Sequence, residues 1–121
     1  MKKCLVVDDS KVVRKICSDI VKGLGFETAE AGNGQEALDF CKKEKPTLIL
    51  LDWNMPIMTG IEFLAEFRKL QGNEQTKVIV CTTENEIDKI QTAISTGADE
   101  YIMKPFDAEI VKDKLLQIGL S

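Results

Sequence analysis

Three apolar runs of the chain each end in charged residues of types that suit metal binding and phosphoryl chemistry. The runs and the residues that follow them are Cys4–Val7 with Asp8 and Asp9, Leu48–Leu51 with Asp52, and Tyr101–Met103 with Lys104. Unbroken apolar runs are typical of parallel strands that are buried on both faces. Because a parallel sheet presents its site at the carboxyl ends of its strands, we expect three carboxylates and one ammonium to converge there.

The converging carboxylates need a cation in addition to Lys104. Two like charges about 4 Å apart repel by roughly 4 kcal/mol at an effective dielectric constant of about 20. Oxygen ligands from carboxylates and carbonyls suit Mg²⁺, so the sequence predicts a Mg²⁺ site at Asp8, Asp9 and Asp52. The structural alternative is that Asp8 and Asp9 only begin the first helix, where acidic residues are common, and that Asp52 only begins a loop.

A carboxylate beside Mg²⁺ and a lysine can also act as a nucleophile and form an aspartyl phosphate. The metal and the ammonium would offset the phosphoryl charge in the transition state and in the product. This chemistry needs no histidine, and the chain contains none. The lack of histidine excludes a Ser-His-Asp triad, a His-ligated zinc site and a phosphohistidine on this chain.

The composition fits one domain over residues 1–121, because 44% of the 121 residues are hydrophobic. The formal net charge of −4 argues against a nucleic-acid-binding face or an anionic-membrane surface. We expect a cytoplasmic protein, since no apolar run has the length of a signal peptide or a membrane span. Apolar surroundings and the lack of C-x-x-C spacing favour buried thiols at Cys4, Cys17, Cys41 and Cys81.

Strand-like and helix-like patterns alternate five times along the chain. The predicted strands are Cys4–Val7, Glu27–Ala31, Leu48–Leu51, Val78–Cys81 and Tyr101–Met103. The predicted helices are Lys11–Leu24, Gln35–Glu44, Ile61–Leu70, Glu86–Thr96 and Ala108–Ile118. Since parallel strands need right-handed crossovers, the alternation predicts an α/β, doubly wound (βα)5 fold with a five-stranded parallel sheet. The polar alternation of the second strand suits a sheet edge.

Helical periodicity also predicts which side chains face the sheet. Ser10 is a suitable N-cap for the first helix, and Gly25 is suited to end it in a left-handed conformation. The inward residues expected in the first helix are Val13, Ile16, Cys17, Ile20, Val21 and Leu24. Those expected in the fourth helix are Ile87, Ile90, Ala93 and Ile94.

Four short motifs resemble those of the response-regulator receiver domain, in particular its single-domain chemotaxis type. They are V-V-D-D-S at Val6–Ser10, L-L-D-W-N-M-P at Leu50–Pro56 with Gly60, the hydroxyl of Thr82, and K-P-F at Lys104–Phe106. Any one motif is a weak signal, whereas four in the same order and spacing over the whole chain are specific. The resemblance implies a flavodoxin-like fold with the strand order 2-1-3-4-5.

The resemblance also implies how the charged residues divide the chemistry. Asp52 would be the phosphoacceptor, and Lys104 would pair with the phosphoryl group. Asp9, Asp52 and the backbone carbonyl of Asn54 would hold Mg²⁺, and Asp8 would contribute through water.

Further positions would transmit or tune the signal. Thr82 would donate its hydroxyl to a phosphoryl oxygen, and Tyr101 would turn inward as Thr82 moves. Asn54 and Glu84 match positions that flank the phosphoryl group and tune dephosphorylation. Thr83 departs from the family pattern, in which a smaller residue is common, and its bulk would narrow access to the phosphoryl group.

Two of these positions also have ordinary structural explanations. The Thr82 hydroxyl would cap the following turn, and Tyr101 would be a half-buried strand aromatic. The resemblance implies a cis peptide at Lys104–Pro105, although only about 5–6% of X-Pro bonds in folded proteins are cis.

The implied function is a monomeric signalling switch rather than an enzyme. A sensor histidine kinase would phosphorylate Asp52. The face made by the fourth helix, the fifth strand and the fifth helix would then change its affinity for a protein target, such as the flagellar motor switch or another signalling protein.

Two other classes of function share parts of this pattern. A metal-dependent phosphatase would use Asp52 as nucleophile, but Asn54 stands where such enzymes usually carry a carboxylate as general acid. A flavodoxin-like electron carrier would need a phosphate-binding loop after the first strand, where Asp8 and Asp9 would repel a flavin phosphate.

Overall fold

Five strands and five helices alternate along the chain, as the apolar patterns predict. The computed structural model describes residues 2–53, 55, 57–70, 75–83, 88–104 and 106–120. The strands are β1 (Lys3–Val7), β2 (Glu27–Ala31), β3 (Leu48–Asp52), β4 (Lys77–Thr82) and β5 (Glu100–Met103). The helices are α1 (Lys11–Gly23), α2 (Gly34–Lys43), α3 (Gly60–Lys69), α4 (Ile90–Thr96) and α5 (Ala108–Gln117).

The strands form one parallel sheet in the order β2-β1-β3-β4-β5, which confirms the predicted fold class and strand order. The central strand β3 is buried along its whole length, whereas β2 at one edge is mostly exposed or half-buried. This contrast follows the sequence, because β3 is an unbroken apolar run and β2 alternates polar and apolar residues.

Alternate strand residues supply two separate cores, one on each face of the sheet. One core joins the inner faces of α2 and α3 to side chains such as Leu51 and Val80. The other joins α1 and α5 to side chains such as Leu50 and Cys81. All four cysteines are buried free thiols, as predicted. Across the described ranges, no helix has the length and hydropathy of a membrane span.

Element ends differ from the predictions where polar caps decide them. Asp52 and Thr82 are the last residues of β3 and β4 rather than the first residues of loops. Helix α3 begins at Gly60, because Thr59 caps it and exchanges hydrogen bonds with Glu62 in a capping box. The predicted start of the fourth helix at Glu86 lies outside the described residues.

Two predicted inward side chains face outward instead. Ile16 is 53% exposed, because the buried line of α1 runs through Cys17, Ser18 and Val21 on the other side of the helix. Ile94 is 43% exposed, whereas Ala93 beside it is buried. A single-residue error in the phase of an apolar stripe is enough to reverse such an assignment. At the start of α1, Ser10 caps the Val13 amide, and after its end Gly25 has a positive φ, as predicted.

The start of α3 packs directly on the backbone that carries Asp52. The amide of Gly60 donates to the Trp53 carbonyl at 3.1 Å. A Cβ atom at position 60 would overlap the Asp52 carbonyl oxygen and lie 3.1 Å from the Trp53 Cα. Glycine is therefore required here by close approach, and this contact fixes the end of β3 against α3.

We expect Gly60→Ala to lower the free energy of unfolding by about 1–3 kcal/mol, because the added methyl overpacks against β3. Thermal unfolding followed by circular dichroism measures the loss. Gly23→Ala is the matched control, since a Cβ atom there meets nothing within 4 Å. The control should be neutral or stabilising by up to about 1 kcal/mol. Equal stability of the two variants would contradict the close packing at Gly60.

Candidate functional site

The carboxyl ends of β1, β3 and β4 lie side by side and carry the predicted site. Asp8 directly follows β1, and Asp52 ends β3. Lys104 follows the outer strand β5, and its amide donates to the Thr82 carbonyl at 2.7 Å. This bond continues the pairing of β4 with β5 beyond the strand and directs Lys104 toward the centre of the sheet edge.

Lys104 bridges two buried carboxylates. Its Nζ donates to Asp8 Oδ2 and to Asp52 Oδ1, both at 3.0 Å. Asp8 and Asp52 are only 4% and 8% exposed, whereas Asp9 is exposed. Carboxylate oxygens of the three aspartates nevertheless lie within 4.8 Å of one another. The structure thus brings together the four charged residues that the strand ends predicted.

The cluster perturbs the ionisation of its own members. Burial raises the pKa of Asp52, the contact with Lys104 opposes that rise, and the charges of Asp8 and Asp9 add to it. Burial by itself would lower the pKa of Lys104, but its hydrogen bonds and ion pairs with Asp52 and Asp8 outweigh burial and raise it. Lys104 is therefore a fixed positive charge at neutral pH.

The start of α1 holds Asp8 in place. The Ser10 amide donates to Asp8 Oδ1 at 2.9 Å. Arg14 donates from Nη1 to the Asp8 carbonyl at 2.7 Å and pairs through Nε with Glu30 at 3.0 Å. Arg14 was not among the site residues predicted from the sequence. Its position one turn after the Ser10 cap, facing the end of β1, was the available signal.

The donor set of the cluster fits a hard divalent cation. The ligands on offer are carboxylate oxygens from Asp8, Asp9 and Asp52, which Mg²⁺ prefers. One ammonium at 3.0 Å from two of these residues leaves the group with an excess of negative charge. Asn54, whose carbonyl the resemblance adds as a ligand, lies outside the described residues, so that ligand stays a prediction.

Thr82 places an unsatisfied hydroxyl beside the charge cluster. The residue is fully buried, and its Oγ1 finds no hydrogen-bond partner among the described residues. Leaving a buried polar group unpaired costs about 1–3 kcal/mol. The capping bond that offered an ordinary explanation is not formed within the described part of the chain. The hydroxyl is thus available to a new acceptor at the strand ends.

Some of the remaining predicted positions lie near the site, and others lie outside the described residues. Thr83 is half-buried and lines a cavity of about 490 Å³ together with Cys17, Lys104 and Phe106. This places its side chain beside Lys104, and the expected effect of its bulk on access to the phosphoryl group stays a prediction. Tyr101 is half-buried in β5. Glu84 and Pro105 lie outside the described residues, as does the predicted cis peptide.

Sequence relatives of this chain include small proteins that it matches over nearly their whole length. It is 38% identical over 111 residues to the sporulation initiation phosphotransferase F of Bacillus subtilis, covering 92% of this chain and 88% of that protein. It is 37% identical over 117 residues to the chemotaxis protein CheY of Pseudomonas aeruginosa, covering 96% and 94%.

Solved structures show the same architecture. Vibrio cholerae CheY4 superposes with a TM-score of 0.90 at 35% identity, covering 98% of each chain. The receiver domain of NtrX from Brucella abortus superposes with a TM-score of 0.86 at 29% identity, covering 98% of this chain and 99% of that one. The family model of the response regulator receiver domain matches residues 4–116. The chain therefore belongs to the response regulator receiver domain family of two-component systems, and its fold and sequence are CheY-like.

Proposed function

We propose that this protein is a phosphorylation-driven switch in which Asp52 accepts a phosphoryl group from a sensor histidine kinase. The observation that carries the proposal is the position of Asp52. Its buried carboxylate contacts the Lys104 ammonium at 3.0 Å and has two further carboxylates within 4.8 Å. The output is a change in affinity for a protein target rather than turnover of a separate substrate.

The phosphoryl transfer uses the two oxygens of Asp52 differently. Oδ1 accepts the hydrogen bond from Lys104, and Oδ2 is the nucleophile. Attack forms a P–O bond and breaks the P–N bond to the donor imidazole, whose nitrogen takes the electron pair. Lys104, kept protonated by its carboxylate partners, then donates to an oxygen of the bound phosphoryl group.

Mg²⁺ would be held by the carboxylates of Asp9 and Asp52, with Asp8 contributing through water and the Asn54 carbonyl as a further ligand. When bound, the ion supplies positive charge that offsets both the clustered carboxylates and the phosphoryl oxygens. The aspartates prepare this arrangement, because their oxygens are already gathered within 4.8 Å.

The unpaired hydroxyl of Thr82 connects phosphorylation to the surface. A phosphoryl group adds strong acceptor oxygens at the strand ends, and Thr82 gains a partner by donating to one of them. Thr82 moves toward the phosphoryl group to make this bond. Its movement leaves space on the same face of the sheet for Tyr101 to turn inward. Phosphorylation therefore favours the state with Tyr101 inward through contacts that the other state lacks, which is a population shift.

The face formed by α4, β5 and α5 is the proposed docking surface for the target. Relatives of the chain carry names from both chemotaxis and sporulation. Candidate targets therefore include the flagellar motor switch and other signalling proteins. We propose a cytoplasmic monomer, with Asn54, Thr83 and Glu84 tuning the lifetime of the phosphoryl group.

Incubation with acetyl phosphate and Mg²⁺ should add the mass of one phosphoryl group to the intact protein. The adduct should be lost on treatment with hydroxylamine, because it is an acyl phosphate. Asp52→Asn should abolish it, whereas Asp113→Asn on the exposed side of α5 should retain it. Intact-mass spectrometry provides the measurement. An adduct that persists in Asp52→Asn would place the phosphoacceptor elsewhere.

Asp52→Asn should stabilise the Mg²⁺-free protein at pH 7 by roughly 1 kcal/mol after solvent screening, because it removes one of three clustered carboxylates. Since the folded-state pKa of Asp52 is raised, its ionisation weakens the fold as pH rises through that pKa. The variant and the wild type should therefore converge below about pH 4, the ordinary range for an aspartate pKa. Thermal denaturation across pH measures the difference.

Saturating Mg²⁺ should reduce or reverse this difference, because binding to the folded wild type adds to its stability. Asp39→Asn, which changes an aspartate in α2 outside the cluster, controls for the loss of one charge. If the wild type is more stable than Asp52→Asn at pH 7 without Mg²⁺, the cluster does not carry a destabilising excess of negative charge.

Thr82→Val should separate phosphorylation from its readout. The variant keeps the side-chain shape but lacks the unpaired hydroxyl, so it should be as stable as the wild type or up to about 1 kcal/mol more stable. It should still accept a phosphoryl group on Asp52, yet the NMR signal of Tyr101 should no longer respond. Thr82→Ser, which retains a hydroxyl, should respond. A full Tyr101 response in Thr82→Val would exclude the hydroxyl as the link.

A further inference from the structure

We infer that Lys114 is a positioning residue that holds the Tyr101 ring at the open edge of the sheet and so opposes its inward turn. This inference deepens the proposed function, on which it rests, by assigning a restraint to the state without a phosphoryl group. The contact that carries it is between the Lys114 ammonium and the Tyr101 ring, whose centroid is 4.8 Å away.

Tyr101 and helix α5 lie on opposite faces of the sheet. Tyr101 pairs in register with Val80, and Val80 belongs to the core on the α3 face of the sheet. Because paired residues of neighbouring strands point to the same face, Tyr101 starts from that face. Helix α5, which carries Lys114, packs on the opposite face through Val111 and Leu115.

A side chain of α5 can therefore reach the Tyr101 ring only around the outer strand. β5 is the last strand of the sheet, so no strand of the described residues pairs with its outer side. Lys114 extends around this edge, and the ring must lie toward the edge to meet it. The inward side of the same face leads to Val80 and then to Thr82, two residues further along β4.

Glu100 fixes the ammonium in this position. Lys114 Nζ lies 3.6 Å from Glu100 Oε1, and each side chain is 22% exposed. The same Oε1 accepts a hydrogen bond from the Tyr101 amide at 3.0 Å. The carboxylate that orients the cation is thus tied to the backbone of the residue whose ring the cation contacts.

The cation–π contact is weak enough for phosphorylation to overcome it. A partly exposed cation–π contact changes an equilibrium by roughly two- to fivefold. Removing the ammonium should therefore raise the inward population of the Tyr101 ring by about that factor. A phosphoryl group, which adds charge-assisted bonds at Thr82 and Lys104, would still be needed to move most molecules to the inward state.

The single tyrosine of the chain makes the ring directly observable. Protein labelled with 3-fluorotyrosine gives one ¹⁹F resonance, and nuclear Overhauser effects between the Tyr101 ring and the Thr82 methyl group report inward turning. The variants are Lys114→Gln, Lys114→Arg, which keeps the cation, and Lys112→Gln. Lys112 is an exposed residue of the same helix, so its substitution controls for the loss of one charge.

Without a phosphoryl donor, Lys114→Gln should move the ¹⁹F resonance toward its position in the phosphorylated wild type and strengthen the ring-to-methyl effects. Lys114→Arg and Lys112→Gln should resemble the wild type. If Lys114→Gln gives the same ring-to-methyl effects as Lys112→Gln, the positioning role is overturned. The ring-to-methyl effects need no phosphorylated reference, so they test the role of Lys114 even if Asp52 accepts no phosphoryl group, and that failure would be seen separately, by mass.

Discussion

The rest of the site depends on one ammonium group held between two buried carboxylates. Lys104 contacts Asp8 and Asp52 at 3.0 Å each, and together these residues join the ends of β1 and β3 to the segment after β5. Because Asp9 adds a third carboxylate within 4.8 Å, one lysine leaves the group short of positive charge. Burial makes that shortage costly, since charges interact more strongly away from water. In the proposed function, a divalent cation would offset the excess, and a phosphoryl group on Asp52 would draw Lys104 into new hydrogen bonds.

The fold offers a route by which the proposed phosphorylation would change the surface. Parallel strands fix the relative positions of the strand ends, and the close approach of Gly60 to the backbone at Asp52 allows little movement of β3. Neighbouring β4 ends in Thr82, whose buried hydroxyl has no partner among the described residues. In the proposed function, a phosphoryl group on Asp52 would be an acceptor beside this donor, and Thr82 would move toward it. Tyr101 and its contact with Lys114 then lie on the open side of the sheet.

The strand ends and their charges could be predicted because apolar runs mark buried parallel strands, and a parallel sheet gathers their carboxyl ends. Asp8, Asp52 and Lys104 therefore required no knowledge of side-chain geometry. Other features depend on rotamers and on the phase of helices against the sheet. Ile16 was wrongly predicted to face inward for this reason, and Arg14 was missed. The contact of Lys114 with Tyr101 could not be predicted either, since it passes around a sheet edge between separate elements.

A structure of the protein with Mg²⁺ and beryllium trifluoride, a stable mimic of the phosphoryl group, would show whether Asp52, Lys104 and Thr82 together bind a phosphoryl group. We expect the mimic on an oxygen of Asp52, with Lys104 Nζ released from at least one carboxylate and donating to a fluorine. We also expect Thr82 Oγ1 within hydrogen-bond distance of the mimic. A mimic bound away from Asp52 would contradict the proposal that Asp52 is the phosphoacceptor. A structure that keeps both Lys104 contacts and leaves the Thr82 hydroxyl unpaired would contradict the proposed roles of Lys104 and Thr82.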